Sequence, residues 1–123
     1  METDTRLYHN PRCSKSRAAL ELLRERGIEP RIVAYLDDPP TAAELRRLAS
    51  MTGSGAHDLV RQGEPEYSAL NLGPASSNDE LITAMAQHPR LIERPIFVHA
   101  GRAVVGRPPE RVLDLLDENA SPS

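Results

Sequence analysis

The first 35 residues restrict the fold more than any other part of the chain. Arg6 to His9 has strand character, and Asn10-Pro11 breaks it, because a residue before proline is pushed toward extended geometry. From Ser14 the apolar residues Ala19, Leu20, Leu22 and Leu23 fall at helical spacing, and Gly27 stands where a C-terminal cap belongs, which predicts a helix over about 14–26. Arg31-Ile32-Val33-Ala34-Tyr35 follows as a β-branched run of strand length. Strand, helix and strand in this order make a βαβ unit with parallel strands and a right-handed crossover, so the chain reads as α/β.

Pro39-Pro40 ends that unit. Thr41-x-x-Glu44 then opens a helix carrying Leu45, Leu48 and Ala49, and Ser77-x-x-Glu80 repeats the capping pattern ahead of Leu81, Ile82 and Met85. Residues from about 41 to 90 therefore read as an interrupted helical insertion. Ile96-Phe97-Val98 and Ala103-Val104-Val105 flank Ala100-Gly101 and predict a hairpin. Pro108-Pro109 suits the first turn of a last helix bearing Val112, Leu113, Leu115 and Leu116. The whole order predicts a four-stranded mixed sheet with a helical insertion between strands two and three. A chain of 123 residues has room for a single domain, and its polar tail over about 118–123 is expected to be flexible.

Composition narrows the function. Apolar residues at 39% and charged residues at 27% place the chain with globular domains rather than disordered ones. No stretch approaches the ~18 apolar residues of a membrane span, and the polar, acidic start shows no secretion signal, so a cytoplasmic protein with no membrane role is expected. Fifteen Lys and Arg are scattered among eighteen Asp and Glu, a net charge of -3 that leaves no footprint for nucleic acid. A single cysteine, Cys13, rules out an intramolecular disulfide and a multi-cysteine zinc site; any redox role must take its second sulfur from another molecule.

Cys13 sits at the junction of the first strand and first helix, in His9-Asn10-Pro11-Arg12-Cys13-Ser14-Lys15-Ser16-Arg17. The N-terminal turn of a helix presents unpaired N–H groups and a partial positive charge, which favour a thiolate and attract an oxyanion. Arg12, Lys15 and Arg17 add positive charge, so Cys13 is read as a reactive thiolate and Ser14, Lys15, Ser16 and Arg17 as substrate-binding. Pro11 separates His9 from Cys13 and prevents their acting as a helical metal-ligand pair, so no metal is expected. His9 is a candidate for tuning the cysteine, while His57, His88 and His99 read as surface or capping residues.

The motif His9-Asn10-Pro11-x-Cys13-x-x-Ser16-Arg17 resembles the active-site loop of the glutathione- and glutaredoxin-linked arsenate reductases. Tyr35-Leu36-x-x-Pro39-Pro40-Thr41, Leu59-Val60-Arg61, His88-Pro89-x-Leu91-Ile92-x-Arg94-Pro95-Ile96 and Gly106-Arg107-Pro108 are similar to the family's later signatures and follow in its order, from about Arg6 to Leu116. The resemblance implies a thioredoxin-like fold, a cis bond before Pro95, and an oxyanion held by Arg61, Arg94 and Arg107 beside a catalytic Cys13. Each such contact would contribute ~1.5–3 kcal/mol, since planar guanidinium groups suit a tetrahedral anion. It implies no bound cofactor: glutathione, or another small thiol, would act as co-substrate, and glutaredoxin as protein partner. Relatives also include Spx-like regulators that bind RNA polymerase, though these usually carry a second cysteine where this chain has Ser16. A monothiol oxidoreductase with another substrate is the third reading.

Overall fold

Why the chain forms a mixed sheet is visible in its first strand. In the computed structural model, which describes residues 5–53 and 55–116, β1 (Thr5–Tyr8) lies inside a sheet ordered β2-β1-β3-β4. β2 (Arg31–Val33) is parallel to β1, pairing Leu7 with Ile32. β3 (Ile96–His99) is antiparallel to β1, pairing Leu7 with Phe97, and β4 (Arg102–Val105) is antiparallel to β3, pairing Phe97 with Val104. The fold is α/β with a four-stranded mixed sheet, as the element order required. The tail at 118–123 lies outside the described residues, and among those residues no helix is long and apolar enough to cross a membrane.

The chain divides into two compact units, one formed by residues up to Ala34 together with those from Arg94, the other by Tyr35–Glu93. In the first, α1 (Ser14–Glu25) covers the sheet. Because strand side chains alternate, Leu7, Phe97 and Val104 share one face, where they pack with Ala19 and Leu23 of α1 and with Val112 and Leu115. α1 ends as its sequence suggested: Gly27 takes a φ of 79°, its N–H reaches the Arg24 carbonyl at 2.9 Å, and the Ile28 N–H reaches that of Leu23 at 2.9 Å. This left-handed cap satisfies two orphan carbonyls while Ile28 joins the core. The hairpin turns through Ala100 and Gly101, both at positive φ.

The last segment differs from the expected helix. Pro109–Leu113 is a 3-10 helix, and α-helical geometry begins only over the following residues 114–116. Two prolines at the start remove donors, so the tighter turn carries Val112 into the core. β2 is also shorter than the run 31–35 suggested, stopping at Val33.

The second unit holds α2 (Ala42–Thr52), α3 (Pro65–Ala69) and α4 (Asn78–Gln87), with a 3-10 turn at Ala56–Asp58 between α2 and α3 and another at Pro89–Leu91 after α4. Both capping patterns operate. Thr41 accepts the Glu44 N–H at 3.1 Å, and at Ser77 the pairing is reciprocal, the Ser77 N–H donating to Glu80 Oε1 at 2.8 Å. Leu45, Leu48, Leu81 and Met85 are fully buried, and α2 packs on α4.

Gly106 marks the tightest approach. A Cβ there would stand 2.9 Å from both Pro95 Cγ and Val112 Cγ1, closer than ordinary packing allows. Gly106→Ala is therefore expected to destabilise the protein by ~1–3 kcal/mol in chemical denaturation, as overpacking does, and an unchanged midpoint would show that this approach is not constrained.

Candidate active site

The sheet register assembles the site. β1 and β2 end where β3 begins and β4 ends, since Tyr8 pairs with Ile96 and with Val33, and Ile96 with Val105. The residues just beyond those strand ends, His9 to Cys13, Arg94-Pro95 and Gly106-Arg107, are thereby collected at one edge. The Arg94–Pro95 peptide is cis, as the resemblance implied, and so is Arg107–Pro108, which nothing in the sequence had pointed to. Gly106 donates to the Pro95 carbonyl at 2.8 Å, and Arg107 Nη1 donates to the Arg94 carbonyl at 3.0 Å.

Asn10 builds the loop below Cys13. Its carbonyl accepts the Cys13 N–H at 2.9 Å, its side-chain Oδ1 accepts the Arg12 N–H at 3.0 Å, and its own N–H donates to Ser16 Oγ at 3.4 Å. Asn favours such local turns because its short carbonyl reaches a backbone donor two residues on. Arg17, the last residue of the motif, returns its guanidinium to the Pro11 carbonyl at 2.8 Å. Arg17 thus braces the loop, a role the sequence reading had not distinguished from substrate contact. Asn10 belongs to the motif, and its position before a proline was the available signal for its structural part.

Cys13 is the N-cap of α1, with extended backbone angles, and its sulfur is partly exposed. Its side chain makes no short capping bond, so the first-turn N–H groups act on it as aligned dipoles. Burial raises the thiol pKa, but the Ser16 N–H, the Arg94 guanidinium and the Lys15 N–H together lower it to about 7. About half the sulfur is therefore thiolate at neutral pH. Ser16 acts on it through its backbone N–H, while its buried hydroxyl accepts the Asn10 N–H.

His9 is buried, 7% exposed, and donates its backbone N–H to the Val33 carbonyl at 2.9 Å. Burial, followed by the charges of Arg17 and Arg24, lowers its pKa, so it is neutral near pH 7; it is not among the groups that set the Cys13 pKa. Ser14 and Lys15 are exposed on the first turn. His99 stands in β3, accepting or donating at Thr5 Oγ1 over 3.0 Å and stacking on Phe97, and His88 caps α4.

Arg61 belongs to the Tyr35–Glu93 unit. Its Nε donates to Glu64 Oε2 at 3.3 Å and its Nη1 to Glu93 Oε1 at 3.5 Å, while Arg90 reaches the other Glu64 oxygen at 3.5 Å. These two carboxylate partners were not picked out from sequence, where neither lies in a recognisable pattern. A hollow of about 730 Å³ in the same unit, bordered by Leu70, Leu72, Pro74 and Thr83, contains none of the candidate residues.

A thiolate at a helix start, acted on by an arginine that precedes a cis-proline, on a four-stranded mixed sheet defines a protein of the thioredoxin-like class. The chain belongs to the ArsC family, whose profile matches residues 8–115. It is 50% identical over 118 residues to the uncharacterized protein YfgD of Escherichia coli strain K12, covering 94% of this chain and 99% of that one. It is 47% identical over 115 residues to an arsenate reductase of Neisseria meningitidis, covering 92% and 98% respectively. The solved arsenate reductase from Vibrio cholerae superposes with a TM-score of 0.85 at 46% identity, over 93% of this chain and 98% of that one.

Two measurements test the site. Alkylation of Cys13 against pH is expected to follow a midpoint near 7, and Arg94→Ala should move it upward; a midpoint unmoved by that change would remove Arg94 from the thiolate environment. For His9, a base whose folded pKa is lowered leaves the unfolded chain binding more protons below about 6.5. Stability should accordingly fall as pH drops through that range, and less so in His9→Gln, as denaturation midpoints at pH 7.5 and 5.5 would record.

Proposed function

We propose that the protein is an arsenate reductase that uses the Cys13 thiolate as nucleophile and an external thiol as reductant. The observation that carries this reading is the Cys13 sulfur with its pKa lowered to about 7 by two first-turn N–H groups and Arg94. Such a sulfur is nucleophilic at neutral pH while most free thiols remain protonated. The names of the Neisseria and Vibrio relatives support the same substrate.

In the first step the thiolate attacks arsenic(V) and a hydroxyl leaves as water, giving a sulfur-arsenic bond. Arg94 and Arg107, tied together through the Arg94 carbonyl, offer guanidinium donors to the arsenate oxygens, and Arg61 is the third guanidinium in this reading. A second thiol then attacks the Cys13 sulfur. The sulfur-sulfur bond forms, the sulfur-arsenic bond breaks, and its electron pair stays on arsenic, which leaves as arsenic(III). Both sulfurs are oxidised to a mixed disulfide, which no second cysteine of this chain can resolve. A glutaredoxin-type partner restores the thiol by exchange. Glutathione is the thiol proposed, and the cytoplasm, where thiols stay reduced, is the compartment in which this cycle can turn over.

Arsenate reduction measured with glutathione and glutaredoxin tests the proposal. Cys13→Ser should abolish activity, and Arg94→Ala, Arg107→Ala or Arg61→Ala should each lower kcat/KM by about ten- to a hundredfold. Retained activity in the serine variant would refute the nucleophile. A wild-type protein inert toward arsenate with glutathione, glutaredoxin or thioredoxin supplied would refute the substrate.

A further inference from the structure

The Arg61 guanidinium is given to two carboxylates before any anion arrives. Its Nε donates to Glu64 Oε2 at 3.3 Å and its Nη1 to Glu93 Oε1 at 3.5 Å, and neither bond uses Nη2. All three side chains are sheltered, Arg61 being 20% exposed, Glu64 14% and Glu93 23%. The backbone builds this arrangement. Val60 and Ile92 form an antiparallel bridge, flanked by the Arg61 N–H on the Leu91 carbonyl and the Glu93 N–H on the Leu59 carbonyl, each at 2.6 Å, and Leu59, Val60, Leu91 and Ile92 are buried. Glu64 is the N-cap of α3, yet its carboxylate makes no capping bond and turns to the arginines instead, its second oxygen accepting from Arg90 at 3.5 Å.

A guanidinium held in this way is oriented but electrically offset. The neighbouring negative charges oppose its field and repel an incoming anion, while the fixed plane keeps Nη2 as a directional donor. The consequence has a sign. Removing the charge of Glu64 while keeping its oxygen should tighten the hold on an anion, whereas disturbing a carboxylate that only supports the fold should loosen it.

We propose that Glu64 is a positioning residue for the oxyanion: it holds Arg61 by Nε and offsets its charge, which keeps the resting affinity for a tetrahedral dianion low and leaves discrimination to the chemistry at Cys13. Phosphate, which has nearly the shape and charge of arsenate but is not reduced by thiols, is the anion that such a site must not retain. The proposal deepens the arsenate reductase reading and rests on its assignment of Arg61 as the third guanidinium. One partly sheltered charge changes affinity by severalfold rather than by orders of magnitude.

Protection of Cys13 by inorganic phosphate against iodoacetamide, an uncharged reagent, measures this without arsenic. At pH 7.5 and constant ionic strength, the phosphate concentration that halves the alkylation rate is expected to fall about three- to tenfold in Glu64→Gln, which keeps an oxygen for Arg61. Without phosphate the alkylation midpoint near pH 7 should stay in place, because Glu64 is not among the groups that act on the sulfur. Arg61→Ala should raise the half-protecting concentration, and adding Glu64→Gln to that variant should change nothing further, since the effect runs through Arg61. A concentration unchanged or raised in Glu64→Gln would overturn the proposal. So would an equal fall in the Arg61→Ala background, which would make the effect a general property of surface charge, and so would phosphate that protects neither the wild type nor the variant. Failure of the underlying reading has a different signature. A protein inert toward arsenate whose phosphate binding still responds to Glu64→Gln through Arg61 leaves the positioning role standing and sinks the substrate alone. Arsenate reduction with phosphate binding indifferent to Glu64→Gln does the opposite.

Discussion

The antiparallel pairing of β1 with β3 is the constraint on which the first unit depends. With Tyr8 opposite Ile96, the chain leaves β1 at the same edge where it enters β3, and the hairpin brings β4 back to that edge at Val105. A shift of one residue would turn Leu7 and Phe97 out of the core they share with Leu23 and Val112. It would also separate the residues following Tyr8 from Arg94. Core packing and site assembly thus answer to a single register, and the close seat of Gly106 between Pro95 and Val112 locks the same region from the β4 side.

Within that frame the chemistry of Cys13 is a contest between desolvation and dipoles. Partial burial favours the neutral thiol, and the first-turn N–H groups of α1 with the Arg94 guanidinium favour the thiolate strongly enough to leave the pKa at about 7. The loop maintains this balance with a small set of bonds centred on Asn10, which fixes the backbone on both sides of the sulfur. His9, one residue earlier, is kept neutral by burial and by the charges of Arg17 and Arg24, and so adds no positive charge to the Cys13 loop.

Much of this was legible in the order of the residues. The helix over 14–26 and its Gly27 cap, the two capping patterns at Thr41 and Ser77, and the hairpin through Ala100-Gly101 all depend on contacts within a few positions, where local propensity dominates. The end of the chain was read less well. Val112 and Leu115 were recognised as core residues, but the 3-10 geometry of Pro109–Leu113 answers to where the sheet needs Val112, which spacing cannot express. Glu64 and Glu93 escaped notice for a related reason: Glu93 is 32 positions from the Arg61 guanidinium it binds, and no periodicity joins them.

By itself the sequence determined that a lone cysteine would stand between a strand and a helix, that the βαβ unit would be parallel, and that any redox cycle must import a second sulfur. These follow from local conformational preference and from counting sulfurs. The resemblance named Arg94 among three arginines; tertiary structure alone decided that its guanidinium acts on the sulfur, that Arg107 braces Arg94 while Arg17 braces the loop, and that Ser16 acts through its backbone. The contact of Arg94 with Cys13 is brought about by the pairing of β1 with β3, and the shorter braces depend on which way each side chain turns once the loop and its cis bonds are set, which packing and register decide rather than any preference a residue carries alone.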